Sequence, residues 1–438
     1  MAPATPAGTG GVSIVRLSGP EAFPIASRMT GVDPSSAPFR TLLRCDVRDA
    51  AGEAFDSGMV VFFPSPRSFT GEDVAELHLH GNPAVVEGAV RAACAAGAVP
   101  AEPGEFSRRA FRNGKMDLTQ AEGLADLIAA RTEAAARAAL RQMRGGIRAS
   151  VAPLRERLLS LLTVLSAAID FAEEDDVPSV THAQLSERVL ELYEGLGSLL
   201  RSYAAGHRFR DGATVAIAGV ANVGKSRLLN RLAGEERAIV TEIPGTTRDY
   251  LHAEVSVGGV PVLLVDTAGL RDTDDPVERE GVRRSRDVIA SADLVLFLLD
   301  GGRPAGEGDR EAYREIAGRP HFVVVNKSDL KEEETGERFA GEGRRGTLRI
   351  SARTGEGMGA LVAAVAREVG PGESAILGQA PLTRVRHRLA VEKALSGMPQ
   401  EFPAEDVREA AAALAELLGE VAPEEVLDAV FGQFCIGK

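Results

Sequence analysis

Residues Gly219-Val220-Ala221-Asn222-Val223-Gly224-Lys225-Ser226 spell G-x-x-x-x-G-K-[ST]. No other stretch constrains the fold of this chain so tightly. An apolar run at 214–218 precedes it and a helical pattern at 227–232 follows, the strand–loop–helix setting a P-loop needs. The glycines let backbone N–H groups converge on phosphate oxygens, and the start of the next helix adds positive potential. Lys225 is placed to reach the β- and γ-phosphates, and the Ser226 hydroxyl to ligate Mg²⁺. The alternative is a fortuitous glycine-rich turn, and the flanking strand and helix argue against it.

Three further segments follow in order. Asp266-Thr267-Ala268-Gly269 ends an apolar run, where an Asp can hold Mg²⁺ through water and a Gly amide can meet the γ-phosphate. Asn326-Lys327-Ser328-Asp329 ends another. Asp329 can accept from the guanine N1–H and 2-amino group; adenine presents neither donor, so the wrong base leaves a buried carboxylate unpaired. Ser351-Ala352-Arg353 follows the last apolar run and can meet the guanine O6 through its backbone. All three lie at the C-terminal ends of expected strands, where open α/β sheets bind ligands. Each tetrapeptide alone is weak evidence; together and in this order they specify a guanine nucleotide. Apolar runs at 214–218, 260–265, 294–299, 322–325 and 348–350 alternate with helical stretches, which predicts a mostly parallel sheet covered on both faces.

Between the first two motifs lies Thr241-Glu242-Ile243-Pro244-Gly245-Thr246-Thr247-Arg248-Asp249. A Thr hydroxyl in such a loop can complete a Mg²⁺ shell only when the γ-phosphate is present, which makes a switch. Thr247 is the first choice and Thr246 its rival. Leu270 follows Asp-x-x-Gly, where Ras-like proteins use Gln to orient the attacking water; leucine cannot do this. The next loop offers Asp272, Asp274, Asp275, Glu278 and Glu280, and the residues alone do not choose among them or single out an arginine finger.

The length of 438 residues sets a prior of about three domains. Short apolar runs at 12–17, 58–63 and 74–79 read as strands and 83–96 as a helix, a small α+β domain. From Met116 the spacing turns helical, with Leu118, Ala121, Leu124, Leu127 and Ile128 on one face. Further helical runs cover 154–171 and 185–203, separated by the acidic loop 173–176, and Gly145-Gly146 marks a helix break. Helical patterning returns after about Pro381, so the α/β domain reads as inserted into a helical one.

The net charge of −13 argues against a large non-specific nucleic-acid surface. Arg108, Arg109, Arg112 and Lys115 form a local basic candidate, either for nucleic-acid phosphate or as a solvated face. Cys45, Cys94 and Cys435 are far apart, odd in number and lack C-x-x-C spacing, which argues against a disulfide framework and a cysteine-based zinc site. His78 and His80, at i and i+2 on one strand face, lack an evident third ligand, which favours structural roles over a metal. No apolar run approaches the roughly 20 residues of a membrane span, and the start has neither a basic n-region nor an apolar h-region. The expectation is a soluble, cytoplasmic protein.

With these motifs assembled, the chain closely resembles the MnmE (TrmE) family of tRNA-modifying GTPases, from about Ala4 to Lys438. The specific pieces lie outside the GTPase motifs: Phe69-Thr70-Gly71-Glu72-Asp73, Glu102-Pro103-Gly104-Glu105-Phe106, Asn113-Gly114-Lys115-Met116-Asp117-Leu118, Ile169-Asp170-Phe171 and Phe434-Cys435-Ile436-Gly437-Lys438. The resemblance implies an N-terminal α+β folate-binding and dimerisation domain at 1–114, a helical domain in two segments at 115–210 and 377–438, and an inserted Ras-like G domain at 211–376. It implies a homodimer, a 5-formyltetrahydrofolate-type folate, and a partner, the FAD-containing MnmG, with which a heterotetramer or larger complex modifies C5 of the wobble uridine of certain tRNAs. It implies a nucleotide site that includes Val223, Gly224, Arg227, Glu242, Pro244, Gly245 and Ala268, and K⁺ held by Asn222 with Thr241, Ile243 and Thr246 in place of an arginine finger. Glu278 resembles the water-orienting glutamate, and Arg16, Glu76, Lys115 and Lys438 the folate contacts. Cys435 stands where the family has a cysteine, open to a nucleophilic role or that of a small hydrophobe. One departure is that only Met1, Ala2 and Pro3 precede Ala4-Thr5-Pro6, so the first strand is expected to be shortened or the start to be late.

Overall fold

Alternation along β2 (Gly10–Ser18) buries Val15 and Leu17 on one face and leaves Val12, Ile14 and Arg16 on the other. That half-buried pattern sets the layout of the first of two units in the computed structural model, which describes residues 1–170, 182–235, 252–267, 286–330, 339–370, 380–397 and 404–438. The first unit comprises Met1–Ala125, Met143–Arg148 and Ala411–Lys438. Its sheet has the order β1 (Ala2–Pro3), β2, β5 (Val74–Gly81), β4 (Ala54–Phe63), β3 (Leu43–Arg48), antiparallel throughout. Helices α1 (Ala22–Thr30) and α2 (Pro83–Ala95) contribute Ile25, Ala26, Ala89 and Ala93 to a core with Val15, Leu17, Val47, Val60, Phe62 and Leu77. Helix α2 starts cleanly because the Asn82 side chain accepts the Ala84 N–H at 2.8 Å and Pro83 sits in the first turn. A second cluster joins Leu118, at the start of α4 (Leu118–Ala129), to Leu427, Val430 and Phe431 of α13 (Glu424–Phe431) and to Phe434.

The second unit comprises Asp126–Gln142 and Ala149–Ala410. Its sheet runs β11 (Arg344–Arg349), β10 (His321–Asn326), β9 (Leu294–Asp300), β6 (Ala213–Ala218), β8 (Val260–Asp266), β7 (His252–Val257). Every pairing is parallel except the edge strand β7, which is antiparallel to β8. Leu294–Leu299 is buried at every position, as a central strand covered on both faces requires. Helices α8 (Lys225–Glu235), α9 (Glu307–Ile316) and α10 (Met358–Val369) accompany this sheet.

Long helices flank the sheet in sequence: α5 (Glu133–Met143), α6 (Gly146–Asp170) and α7 (His182–Asp211) before it, α11 (Val385–Ser396) and α12 (Ala404–Leu418) after it. The break expected at Gly145-Gly146 falls between α5 and α6. Within this unit α7 and α11 pack together, with Arg388 lying 5.4 Å over the Tyr203 ring. The nearly buried Arg384 pairs with Asp126 at 2.7 Å. Among the described residues, no helix is long and apolar enough to cross a membrane.

Candidate functional site

Strand β6 delivers the chain into the loop 219–224, and α8 begins at Lys225. Gly224 adopts φ 98°, and a Cβ there would lie 2.5 Å from the Asn326 amide nitrogen, so only glycine fits. Asn222 holds φ 67°, a left-handed conformation that asparagine tolerates better than most residues. The Lys225 ammonium donates to the carbonyls of Gly219 at 2.9 Å and Val220 at 3.1 Å. Burial pushes its pKa down, and the nearby Asp266 charge opposes that shift. The Ser226 hydroxyl donates to Asp266 Oδ2 at 2.6 Å. Asp266 Oδ1 is buried and has no hydrogen-bond partner among the described residues. A hydroxyl beside a carboxylate with one orphaned oxygen is a donor set that suits Mg²⁺.

Strand β10 ends in Asn326, whose amide ties two loops together. Its Nδ2 donates to the Val223 carbonyl at 2.7 Å, and its Oδ1 accepts the Ala352 N–H at 2.9 Å. Lys327, at φ 67°, donates to Asp300 Oδ2 at 2.6 Å. Burial alone would raise the Asp300 pKa, but the Lys327 and Gly302 hydrogen bonds and the Lys327 charge outweigh it and hold the pKa below its usual value. Asp329 accepts the Ser351 hydroxyl at 2.6 Å on Oδ1 and pairs with Arg353 at 2.9 Å on Oδ2. The Ser351 hydrogen bond, aided by the Arg353 and Arg227 charges, lowers its pKa and keeps the group an acceptor.

These groups open onto one cleft of about 510 Å³, lined by Asn222, Gly224, Lys225, Ser226, Arg227, Asn326, Lys327, Asp329, Leu330 and Arg353. Other expected site residues stand behind that surface. Val223 is buried, Thr267 is buried with its hydroxyl on the Ile217 carbonyl, and the Ser328 N–H donates to the Ile350 carbonyl. Thr241, Glu242, Ile243, Pro244, Gly245, Thr246, Thr247, Ala268, Gly269 and Glu278 lie outside the described residues.

On the N-terminal sheet, Arg16 and Glu76 face each other across β2 and β5 and pair at 2.8 Å. The Arg16 guanidinium carbon lies 5.4 Å from the Phe69 ring centroid and 5.6 Å from that of Phe106. The Phe106 N–H donates to the Lys438 carbonyl at 3.1 Å, and the Lys115 ammonium donates to the Pro66 carbonyl at 3.0 Å. Arg16 therefore has one carboxylate and two aromatic rings around it.

The arginines of α3 (Glu105–Arg112) are already paired. Arg108 binds Glu424 and, at 2.9 Å, Asp428; Arg109 binds Glu105 and, at 3.0 Å, Glu72; Arg112 binds Glu424 at 2.7 Å. These residues form an ion-pair network whose outer members, Arg112, Glu424 and Asp428, are exposed. His80 bonds Asp56 at 2.7 Å, and His78 Nε2, 3.5 Å from Glu76 Oε2, is buried without a hydrogen-bond partner among the described residues. Cys435 is exposed, whereas burial, with Asp46 and Asp56 nearby, pushes the Cys45 thiol up to about 11.

The family described as MnmE helical domain matches residues 118–435, and that described as GTP-binding protein TrmE N-terminus matches residues 1–115. A relative from Aquifex aeolicus (strain VF5), described as tRNA modification GTPase MnmE, is 42% identical over 456 residues, spanning 100% of this chain and 99% of its own length. The chain belongs to the MnmE family. A second MnmE, from Paramagnetospirillum magneticum (strain ATCC 700264 / AMB-1), is 46% identical over 444 residues, spanning 99% of this chain and 98% of its own. Among solved structures, a single-residue variant of Aquifex aeolicus Era bound to GDP·AlF4⁻ is 24% identical, covering 42% of this chain and 66% of that one with a TM-score of 0.30.

For this MnmE-family chain, motif reasoning missed Asp300, the carboxylate on Lys327, and Leu330, which lines the cleft. Asp300 carried a faint signal as the polar residue closing an apolar strand. Leu330 carried none.

Proposed function

We propose that this chain is a potassium-dependent GTPase whose hydrolysis cycle drives modification of C5 of the wobble uridine, position 34, of certain tRNAs. The GTP hydrolase activity is that of its family. The observation that carries the reading is the meeting of Lys225 and Ser226 with Asp329 on one cleft, a phosphate end and a base end within a volume suited to a nucleotide. Lys225 would exchange its loop carbonyls for β- and γ-phosphate oxygens, and the Asp329 carboxylate would accept from the guanine N1–H and 2-amino group. Ser226 and Asp266, with Thr247, would hold Mg²⁺, and Asn222, with Thr241, Ile243 and Thr246, would hold K⁺. Bound there, these cations offset charge that develops between the β- and γ-phosphates. Glu278 would accept a hydrogen bond from the attacking water and orient it, the task Leu270 cannot perform.

The remaining assignments form one picture. Residues 1–114 form the homodimer and bind a one-carbon folate through Arg16 and Glu76, with Lys115 and the terminal Lys438 as further contacts. Residues 115–210 and 377–438 form the helical domain, into which the G domain at 211–376 is inserted. An FAD-containing partner of the MnmG kind supplies redox chemistry for adding a carboxymethylaminomethyl or aminomethyl group, in the cytoplasm. The test is GTP turnover in KCl against NaCl at equal ionic strength. Markedly faster turnover in K⁺ is expected; equal rates would remove the potassium step, and no turnover in either would remove the whole reading.

A further inference from the structure

Arg231 sits on α8, six residues beyond Lys225, and its guanidinium leaves the helix for the loop after β11. One terminal nitrogen donates to the Arg353 carbonyl at 3.1 Å and, at a long 3.5 Å, to that of Ala352; the other donates to the Thr354 carbonyl at 3.1 Å. Three successive carbonyls of the base-side loop thus converge on one cation. Gly355, at φ 96°, makes the room, because a Cβ there would lie 2.2 Å from the guanidinium. The same loop places the Ala352 N–H on Asn326 and the Ser351 hydroxyl on Asp329.

We infer that Arg231 is a positioning residue that ties the phosphate-binding helix to the base-reading loop, setting how strongly guanine is preferred and how long the nucleotide stays. This rests on the guanine-nucleotide reading above. A nucleotide spans the start of α8 and Asp329, so its affinity depends on how firmly the two are held in register. The rigid guanidinium fork holds several carbonyls at once through charge-assisted hydrogen bonds, and an ammonium on a flexible stem does so less well. Motif reasoning could not find it, because the P-loop pattern assigns nothing to this position.

The experiment uses the full chain and compares the parent with Arg231→Ala and Arg231→Lys. Release of a fluorescent GDP analogue is followed during a chase with excess GDP, and affinities for GDP and inosine diphosphate are measured alongside. Inosine keeps O6 and N1–H but lacks the 2-amino group whose N–H would donate to the Asp329 carboxylate. Release about 10-fold faster is expected for Arg231→Ala and about 3-fold for Arg231→Lys, with the preference for GDP over inosine diphosphate falling in the same order. Gly355→Ala, which crowds the guanidinium without removing its charge, should also speed release. Parent-like release and preference in Arg231→Ala would overturn the inference. So would a lowered melting temperature with the base preference intact, the mark of a purely structural brace. A parent that binds no guanine nucleotide would sink the underlying reading as well, an outcome visible before any variant is made.

Discussion

The two sheets of this protein build sites in different ways. In the parallel sheet, β6, β8, β9 and β10 all run the same way, so their C-terminal ends lie along one edge. Residues as distant in sequence as Ser226, Asp266, Asn326 and Asp329 therefore meet there. The antiparallel sheet alternates direction and has no such edge. Its polar cluster lies on the face instead, where the cross-strand neighbours Arg16 and Glu76 pair directly. An edge site depends on loops and their backbone amides; a face site depends on register and on which side chains the pleat turns outward. The first suits phosphates, which bind amides; the second carries the proposed folate contacts.

That contrast predicts independent damage. Lys225→Ala should weaken GTP binding by about 10²-fold or more, since several charge-assisted bonds are lost, and leave folate affinity unchanged. Equilibrium titration of both ligands checks this, and a parallel loss of folate binding would break the contrast. Glu278→Ala should keep GTP binding but slow turnover by roughly 10²-fold, the scale of losing a water-orienting group. Single-turnover hydrolysis measures it, and unchanged turnover would place the water elsewhere. Glu76→Gln should weaken binding of a reduced folate by about 10-fold without altering GTP turnover.

The smallest effect concerns Cys45. Burial disfavours its thiolate, so at pH 8 it should be alkylated far more slowly than the exposed Cys94 and Cys435. The sign follows from the raised pKa: above the ordinary thiol range of about 8.5 the unfolded chain ionises first, and folding weakens as pH climbs toward about 11. Equal labelling of the three thiols, read by mass spectrometry, would contradict that burial.

Legibility in the sequence followed the same division. The central strands of the parallel sheet are buried on both faces, so their continuous apolar runs stood out, and expected 294–299 became Leu294–Asp300. Edge strands did not: Leu43–Arg48 and His252–Val257 bury alternate residues only, and their charged positions hid them. The expected run at 348–350 catches only the end of Arg344–Arg349, whose first half is polar. The phosphate loop was readable because backbone geometry dictates its glycines. The pairing of Arg16 with Glu76 rests on register between strands 60 residues apart, which local pattern cannot supply. Family resemblance named those residues, while the contact of Arg16 with Phe69 and Phe106 emerged only in three dimensions.

In the proposed function, one cleft grips a triphosphate at Lys225 and reads its base at Asp329. Calorimetric titration of the purified chain with GDP and with ADP, in Mg²⁺ and K⁺, tests it most directly. GDP is expected to bind tightly and one-to-one, and ADP with affinity lower by about 10²-fold or more, because adenine leaves the Asp329 carboxylate unmatched. Equal affinity for the two, or no heat with either, would contradict it.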